Sequence, residues 1–242
     1  MIKYFTLKAL DFFDYFHKKK LIKFLVEKKL LKMRYFFDIG AHHGESIRLF
    51  TQYFQIKNII SFEASPLNYD RLKKNINNIN SNSNDSKIIL ERYAIGSKKQ
   101  SIYLNQSLES SSSTINKINF QSKYYKRKNK FLGSKEKFFK KIKVKMITLD
   151  DYIIENNIKR IDFLKIDTEG YEFEILKGLK QNIFKVKLIL FEHHYDDMIK
   201  KNYTFSEIHN LLVDNNFKQI LKTKMPFRKT FEYIYTNNRK LN

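Results

Sequence analysis

The strongest constraint on this chain is an apolar run that stops at a glycine. Residues 36–39 read Phe-Phe-Asp-Ile, Gly40 and Gly44 follow, and residues 46–54 then repeat their apolar side chains at helical spacing. This pattern predicts a buried strand, a tight turn and a helix. Glycines in such a turn admit a ligand against the backbone, and the helix start offers unpaired N–H groups. We therefore expect an α/β fold with a nucleotide-type site at this turn.

The residues around these glycines exclude two common nucleotide motifs. His42 stands where a dinucleotide fingerprint needs the second glycine, and the Lys that would complete a P-loop is missing after Gly44. A second acidic residue, Glu63, ends the next predicted strand after the one that carries Asp38. Because an acid at this place binds ribose in nucleotide folds, the pattern favours a nucleoside without a phosphate chain, such as S-adenosylmethionine.

Four stretches together resemble the FkbM-type S-adenosylmethionine-dependent methyltransferases. They are residues 37–44, 61–66, 147–152 and 161–178, and their order and spacing make the combination specific. Two positions depart from the family pattern, since Ala64 replaces the usual Pro and a histidine pair stands at 42–43. The resemblance implies a class I methyltransferase fold, which is Rossmann-like, with a seven-stranded, mostly parallel sheet and helices on both faces.

Strand and helix signals alternate from residue 35 onward, as a parallel sheet requires. The predicted strands cover residues 35–39, 59–63, 87–94, 161–167, 188–192, 217–222 and 231–236. The predicted helices cover residues 45–54, 66–79, 149–156, 172–179 and 205–215. The last two strands follow each other without a crossover helix, which predicts an antiparallel hairpin.

A length of 242 residues fits one methyltransferase domain, residues 35–242, preceded by an accessory segment, residues 1–34. The accessory segment predicts one or two amphipathic helices that pack on the fold, on a second subunit or on a membrane surface. Residues 105–143 begin rich in Ser and Asn and then become basic, so we expect a surface insertion or a lid over the acceptor site. The serines at 110–113 also resemble a serine-bearing stretch of the family.

The net charge of +22 is concentrated in two segments. Residues 1–34 hold ten Lys and Arg against three Asp and Glu, and residues 117–145 hold twelve against one. A lysine-rich composition explains much of the total but not this clustering, which suggests an anionic partner: a membrane surface, an acidic glycan or a nucleic acid. No recognised nucleic-acid motif is present, which disfavours the last.

Two absences in the sequence bear on compartment and chemistry. The chain has no Cys, which excludes disulfides and thiolate metal sites. It also has no apolar run near the ~20 residues that cross a bilayer and no signal-peptide core. We expect a cytoplasmic protein, with peripheral membrane contact as an option.

The resemblance implies a set of cofactor-binding residues. Asp38 is expected to fix the methionine end of the cofactor or to order the turn, and Glu63 to accept both ribose hydroxyls. Tyr93 and Ala94 are expected near the adenine. The full expected set is Asp38, Gly40, Gly44, Glu63, Tyr93, Ala94, Asp167 and Glu169.

Methyl transfer to a hydroxyl needs alignment and a base that removes the hydroxyl proton. Asp167 is the first catalytic candidate and His193 the second, because an ordinary histidine pKa near ~6.5 suits proton transfer. Either histidine after the fifth strand also fits a purely structural role. A weaker option is Mg²⁺ or Mn²⁺ on Asp167, Glu169, Glu192 and the histidines that follow Glu192. We expect His42 and His43 to point apart and to form no metal site.

The sequence therefore predicts a methyltransferase that methylates a hydroxyl on a sugar of a surface glycan or on a small secondary metabolite. The acceptor class is implied by the resemblance alone. Alternatives are a protein or lipid-linked acceptor, a nucleic-acid-binding protein that uses the basic segments, and a noncatalytic scaffold. The intact acids and glycines of the motifs argue against the scaffold.

Overall fold

The centre of the fold is a seven-stranded sheet, seen in a computed structural model that describes residues 2–80, 86–107, 113–132 and 139–239. The strands are β1 Lys32–Ile39, β2 Gln55–Phe62, β3 Lys87–Glu91, β4 Ala94–Ile95, β5 Gln100–Ser107, β6 Lys117–Ile118, β7 Phe139–Ile147, β8 Ile161–Ile166, β9 Val186–His194, β10 Ile199–Lys200, β11 Phe217–Lys224 and β12 Thr230–Asn237. The helices are α1 Ile2–Glu27, α2 Glu45–Tyr53, α3 Pro66–Asn80, α4 Lys123–Leu132, α5 Leu149–Glu155, α6 Glu172–Lys177 and α7 Phe205–Asp214, with a 3₁₀ turn at Ile183–Lys185.

The large sheet has the strand order β11-β12-β9-β8-β1-β2-β3. Strands β3, β2, β1, β8 and β9 are parallel, whereas β12 runs antiparallel to both β9 and β11. Side chains alternate across the sheet, so Phe36 packs with α1, α2 and α3 while Phe37 packs with α5, α6 and α7. The predicted mostly parallel, seven-stranded sheet with helices on both faces is confirmed.

The prediction of a third strand over residues 87–94 is wrong at the C-terminal end of that strand. The strand leaves the large sheet after Glu91, and Ala94–Ile95 pairs with β7 instead. The other predicted strands and helices are present with ends shifted by a few residues. Local capping explains two helix starts, since Thr148 caps α5 and Thr204 forms a capping box with Glu207 at α7.

The two ends of the basic segment predicted at residues 105–143 belong to a small sheet of β4, β7 and β5. Strands β5 and β7 form an antiparallel pair from Gln100–Met146 to Ser107–Phe139. Sequence analysis missed these strands because lysines fill the exposed positions of β7, so charge concealed the alternation of Ile142, Val144 and Met146. Between the strands, β6 pairs with β10, and α4 follows.

Helix α1 is one continuous helix that packs on the large sheet. Leu21, Ile22 and Leu25 are buried against it, and His17 Nε2 lies 2.7 Å from Glu232 Oε2 of β12. This supports packing of the N-terminal segment on the fold. Although α1 has 26 residues, neither it nor another helix in the described ranges is long and apolar enough to cross a membrane.

Burial of α1 makes a prediction about stability. Leu25 is fully buried, whereas its neighbour Val26 is 38% exposed. We expect Leu25→Ala to lower the free energy of unfolding by about 2–5 kcal/mol, because it leaves a cavity. The matched Val26→Ala variant should change it by less than about 0.5 kcal/mol. Urea unfolding followed by circular dichroism measures both; equal effects would show that α1 is not part of the core.

Candidate cofactor and acceptor site

The turn after β1 brings two strand ends into direct contact. Gly40 has φ +81°, and the N–H groups of Gly40 and Ala41 donate to the carbonyl oxygen of Phe62, at 2.9 and 3.0 Å. A Cβ at Gly40 would lie 1.9 Å from the carbonyl oxygen of Asp167, at the end of β8. Only glycine fits this contact, so the turn fixes the ends of β1, β2 and β8 relative to each other.

A single pocket at the carboxyl ends of the parallel strands collects most of the predicted cofactor residues. This edge is where open α/β sheets bind ligands. Asp38 and Gly44 do not line the pocket: Asp38 is buried beneath it, and Gly44 caps α2. The predicted residues that do line it are Gly40, Glu63, Tyr93, Ala94, Asp167 and Glu169.

Glu63 is a buried carboxylate in the wall of the pocket. Its Oε2 accepts the backbone N–H of His42 at 2.8 Å, and its Oε1 accepts that of Ser65 at 2.9 Å. Burial raises the pKa of the Glu63 carboxyl to about 7, although these two N–H groups lower it. Both oxygens are thereby fixed in place and keep further lone pairs for hydroxyl donors.

Lys165 joins the first motif to the fourth. Its Nζ lies 3.3 Å from Asp38 Oδ1 and 3.2 Å from Asp167 Oδ2. Burial lowers the pKa of Lys165, but the carboxylates of Asp167, Asp38 and Glu192 outweigh burial and raise it. Burial also raises the pKa of Asp38, and it outweighs the positive charge of Lys165, which lowers that pKa. Asp38 thus acts on the site through Lys165.

Glu172 holds the turn that follows β8. This fully buried carboxylate accepts the backbone N–H groups of Thr168 and Gly170 through Oε1, while the hydroxyl of Tyr203 donates to Oε2. Within the turn, Glu169 has φ +53°, a conformation that non-glycine residues rarely adopt. Strain of this kind is common at functional sites, and here it places Glu169 in the pocket wall.

His194 lies against the same wall. Its Nε2 is 3.4 Å from Glu169 Oε2, and its Nδ1 is 3.7 Å from Asp196 Oδ2. Burial lowers the pKa of His194, but the nearby carboxylates of Glu169, Asp196 and Glu192 raise it to about 10. His194 is therefore a cation at neutral pH.

His193 lies on the opposite face of β9 from His194. Its ring is 3% exposed and packs against the rings of Tyr195, Tyr203 and Phe205. Burial, with the charges of Lys201 and His194, lowers the pKa of His193 to about 3. Asp167 lines the pocket and His193 does not, so the geometry favours Asp167 as the base, and both roles stay predictions.

The predicted metal ligands are engaged elsewhere. Asp167 pairs with Lys165, and Glu169 pairs with His194. In the part of the chain that the structure describes, Asp167, Glu169 and Glu192 do not form a compact group of ligand atoms. The arrangement gives no support to Mg²⁺.

The expectation that His42 and His43 point apart is wrong. Their rings stack with centroids 3.6 Å apart and planes inclined by 21°, and ligand atoms of His42, His43 and Glu45 lie within 4.8 Å of one another. Because imidazole binds a metal in the plane of its ring, nearly parallel rings at this distance cannot share an ion unless one ring rotates. We assign no metal to this group.

Comparison with known proteins identifies the family. A model described as the methyltransferase FkbM domain matches residues 38–219, which includes every motif residue of the pocket. The chain belongs to the FkbM methyltransferase family. Curated proteins include no significant match to this sequence.

Solved structures show the same fold as this FkbM domain. One is a methyltransferase FkbM from Methylobacillus flagellatus KT, with 16% identity and a TM-score of 0.54, covering 84% of this chain but only 44% of that one. Another is magnesium protoporphyrin IX methyltransferase from Synechocystis PCC 6803 with bound SAM, with 9% identity and a TM-score of 0.54, covering 96% of this chain and 83% of that one. A second structure of that enzyme contains SAH.

Sequence analysis missed Lys165 and Glu172 of the FkbM site, and it considered His194 only as a structural residue or a metal ligand. Lys165 precedes Asp167 by two positions in a strand, and His194 follows Glu192 by two, so period-two spacing places each pair on one face. That spacing was a usable signal for both. The position of Glu172 at the start of α6 gave no hint that it folds back onto the preceding turn.

The contact at Gly40 makes a prediction about the FkbM domain. Gly40→Ala should destabilise the protein by clearly more than the ~1–2 kcal/mol that left-handed backbone costs an alanine, because its Cβ meets the Asp167 carbonyl. Asn157→Ala is the matched control, since Asn157 is exposed and also left-handed, at φ +52°. Chemical unfolding compares them; equal losses would mean that the strand ends separate freely.

Proposed function

We propose that this protein transfers a methyl group from S-adenosylmethionine to a hydroxyl oxygen of an acceptor, either a sugar of a surface glycan or a small secondary metabolite. The observation that carries the proposal is that the carboxylates of Glu63 and Asp167 line one pocket. Glu63 is buried and fixed by backbone N–H groups, whereas the side chain of Asp167 is 31% exposed. The first suits a bound ribose, and the second can reach an acceptor.

The residues present fit the cofactor. Glu63 offers two fixed oxygens to a ribose diol, and the backbone of Gly40 lines the same pocket. Tyr93 and Ala94 line the same pocket, where the adenine is expected. When bound, S-adenosylmethionine supplies an electrophilic methyl group on a sulfonium. The Synechocystis relative of this fold was crystallised with SAM, which supports the same ligand class here.

Asp167 is the base in this proposal. The Asp167 carboxylate would accept the proton of the acceptor hydroxyl as the hydroxyl oxygen takes the methyl group, while the sulfonium–methyl bond would break and leave a neutral thioether. Lys165 holds Asp167 Oδ2 at 3.2 Å and so orients the carboxylate. The charges of Glu169 and His194 lie in the adjoining wall and oppose each other, which limits the net charge at the acceptor side.

The acceptor wall comes from the described part of the basic segment. Ser113, Thr114 and Ile115 line the pocket, and Thr114 Oγ1 donates to the carbonyl oxygen of Glu169 at 2.8 Å. Of the serines predicted at 110–113, residues 110–112 lie outside the described residues. A polar wall of this kind suits a hydroxyl-rich acceptor and supports the proposal that the segment covers the acceptor.

Calorimetric titration with S-adenosylhomocysteine tests the proposal without a known acceptor. Saturable one-site binding is expected. A folded sample that does not bind would contradict the cofactor assignment. Repeating the titration with Mg²⁺ tests the metal option, because an increase in affinity would restore a metal to the site.

The pKa of Glu63 makes this affinity depend on pH. Ribose hydroxyls donate to the ionised carboxylate, so protonation of Glu63 below pH 7 removes a strong acceptor. We expect S-adenosylhomocysteine affinity to rise about tenfold between pH 6 and pH 8. Glu63→Gln should bind weakly at both values and flatten the profile, whereas the exposed Glu155→Gln should keep it. Unchanged affinity in a folded Glu63→Ala variant would refute the assignment.

A pair of substitutions separates the two candidate bases. Asp167→Asn should lower the rate of methyl transfer by about 10²–10⁴ because it removes the proton acceptor. His193→Gln should retain most of the rate in its folded fraction, because His193 is buried away from the pocket. Transfer of tritiated methyl groups into a panel of free and nucleotide-linked sugars measures both rates. The reverse order of effects would make His193 the base.

A further inference from the structure

Three large aromatic side chains are exposed at one corner of the molecule. Phe13 and Phe16 on α1 are 40% and 53% exposed, and Phe227 at the tip of the β11–β12 hairpin is 74% exposed. The rings of Phe13 and Phe227 meet edge to face, with centroids 4.9 Å apart. Helix and hairpin thus form one continuous aromatic surface. Exposed apolar groups gathered in this way mark interaction sites.

The structure holds these aromatic groups in place. Arg228, next to Phe227, forms an ion pair with Asp14 of α1 at 2.7 Å, and His17 pairs with Glu232 of β12. The backbone of Phe227 is left-handed, at φ +58°, which is unfavourable for a bulky residue. Because Phe227 combines an unfavourable backbone conformation with a ring exposed to water, we expect this residue to have a role in binding.

Lysines extend the aromatic corner along α1. Residues three and four apart in a helix share a face, so Lys19, Lys20 and Lys23 follow Phe16 on the solvent side. The opposite side of α1, with Leu21 and Leu25, is buried in the core. We call the exposed side with the hairpin tip the basic aromatic face; it consists of Phe13, Phe16, Lys19, Lys20, Lys23 and Phe227.

The basic aromatic face lies at the same edge of the sheet as the pocket. Thr230, just after the hairpin tip, pairs with His194 at the carboxyl end of β9. Helix α1 also contacts α4 of the second basic segment. On α4, Tyr124 is close enough to Arg228 and Glu169 for their charges to act on its pKa, which burial raises. Helix α4 therefore lies between the face and the pocket wall.

We propose that the basic aromatic face binds the surface of an anionic lipid bilayer. Lysines attract anionic headgroups, and aromatic rings favour the interface between headgroups and acyl chains. An acidic glycan would use the lysines but gain little from an exposed Phe227, and no recognised nucleic-acid motif is present in the sequence, so the combination favours a bilayer. Binding in this way brings the pocket edge to the membrane surface, where a lipid-linked acceptor would be within reach.

Co-sedimentation of the full chain with vesicles tests the proposal. Binding is expected to vesicles of equal parts phosphatidylcholine and phosphatidylglycerol, to weaken as salt is raised, and to be slight with phosphatidylcholine alone. Absence of binding to the mixed vesicles would overturn the proposal. Equal binding to both vesicle types would overturn the role of the lysines.

Matched variants separate the aromatic from the ionic contribution. Phe227→Ser should weaken binding about tenfold, since it removes apolar area from the interface. Lys19→Glu and Lys23→Glu should each weaken it by at least about fivefold, because each lysine contributes about 1 kcal/mol near a charged surface. The controls are Tyr103→Ser, a 61% exposed aromatic in β5, and Lys159→Glu, an exposed lysine before β8; both should leave binding unchanged.

The pattern of losses identifies the partner. If both lysine variants lose binding while Phe227→Ser retains it, the face recognises anionic charge alone, and the bilayer proposal fails. S-adenosylhomocysteine affinity and thermal midpoints of the same variants should equal those of the parent protein. Failure of the membrane proposal is therefore distinguishable from failure of the cofactor site.

Discussion

The buried ammonium of Lys165 is the interaction on which the rest of the site depends. It lies between two carboxylates, Asp38 and Asp167, that belong to neighbouring parallel strands and would otherwise repel each other. A buried charge with one partner removed is strongly unfavourable, so these three groups hold one another in place. The end of β1, which carries the cofactor turn, and the end of β8, which carries the proposed base, are therefore positioned by one ionic group.

The neighbouring turns add steric and hydrogen-bonding constraints to this ionic one. Gly40 allows its backbone to touch the carbonyl of Asp167, and Glu172 fixes the next turn through the N–H groups of Thr168 and Gly170. Each constraint acts on backbone atoms rather than on side chains alone. The pocket is thus formed before any ligand enters, as electrostatic preorganisation requires.

Sequence reasoning predicted the large sheet well because its strands carry uninterrupted apolar runs and its glycines mark one turn. The same reasoning failed for β7, where solvent-facing lysines conceal alternation, for β5, which consists mainly of Gln, Ser and Asn, and for the end of β3, where the chain changes sheets. Motifs located most of the pocket, including Glu63 and Asp167. They could not reveal that Asp38 acts through Lys165, because a charge bridge between strands distant in sequence is visible only in three dimensions.

The way the pocket wall is built has an evolutionary consequence. The carboxylates proposed to bind the cofactor and to act as the base lie at the ends of strands that are held together. Ser113, Thr114 and Ile115 instead come from the segment between β5 and β7. Substitutions in that segment can reshape this wall of the pocket without disturbing the ionic contacts of Lys165 or the turn at Gly40. Within one family, such an arrangement allows the residues that contact the acceptor to change while the reaction stays the same.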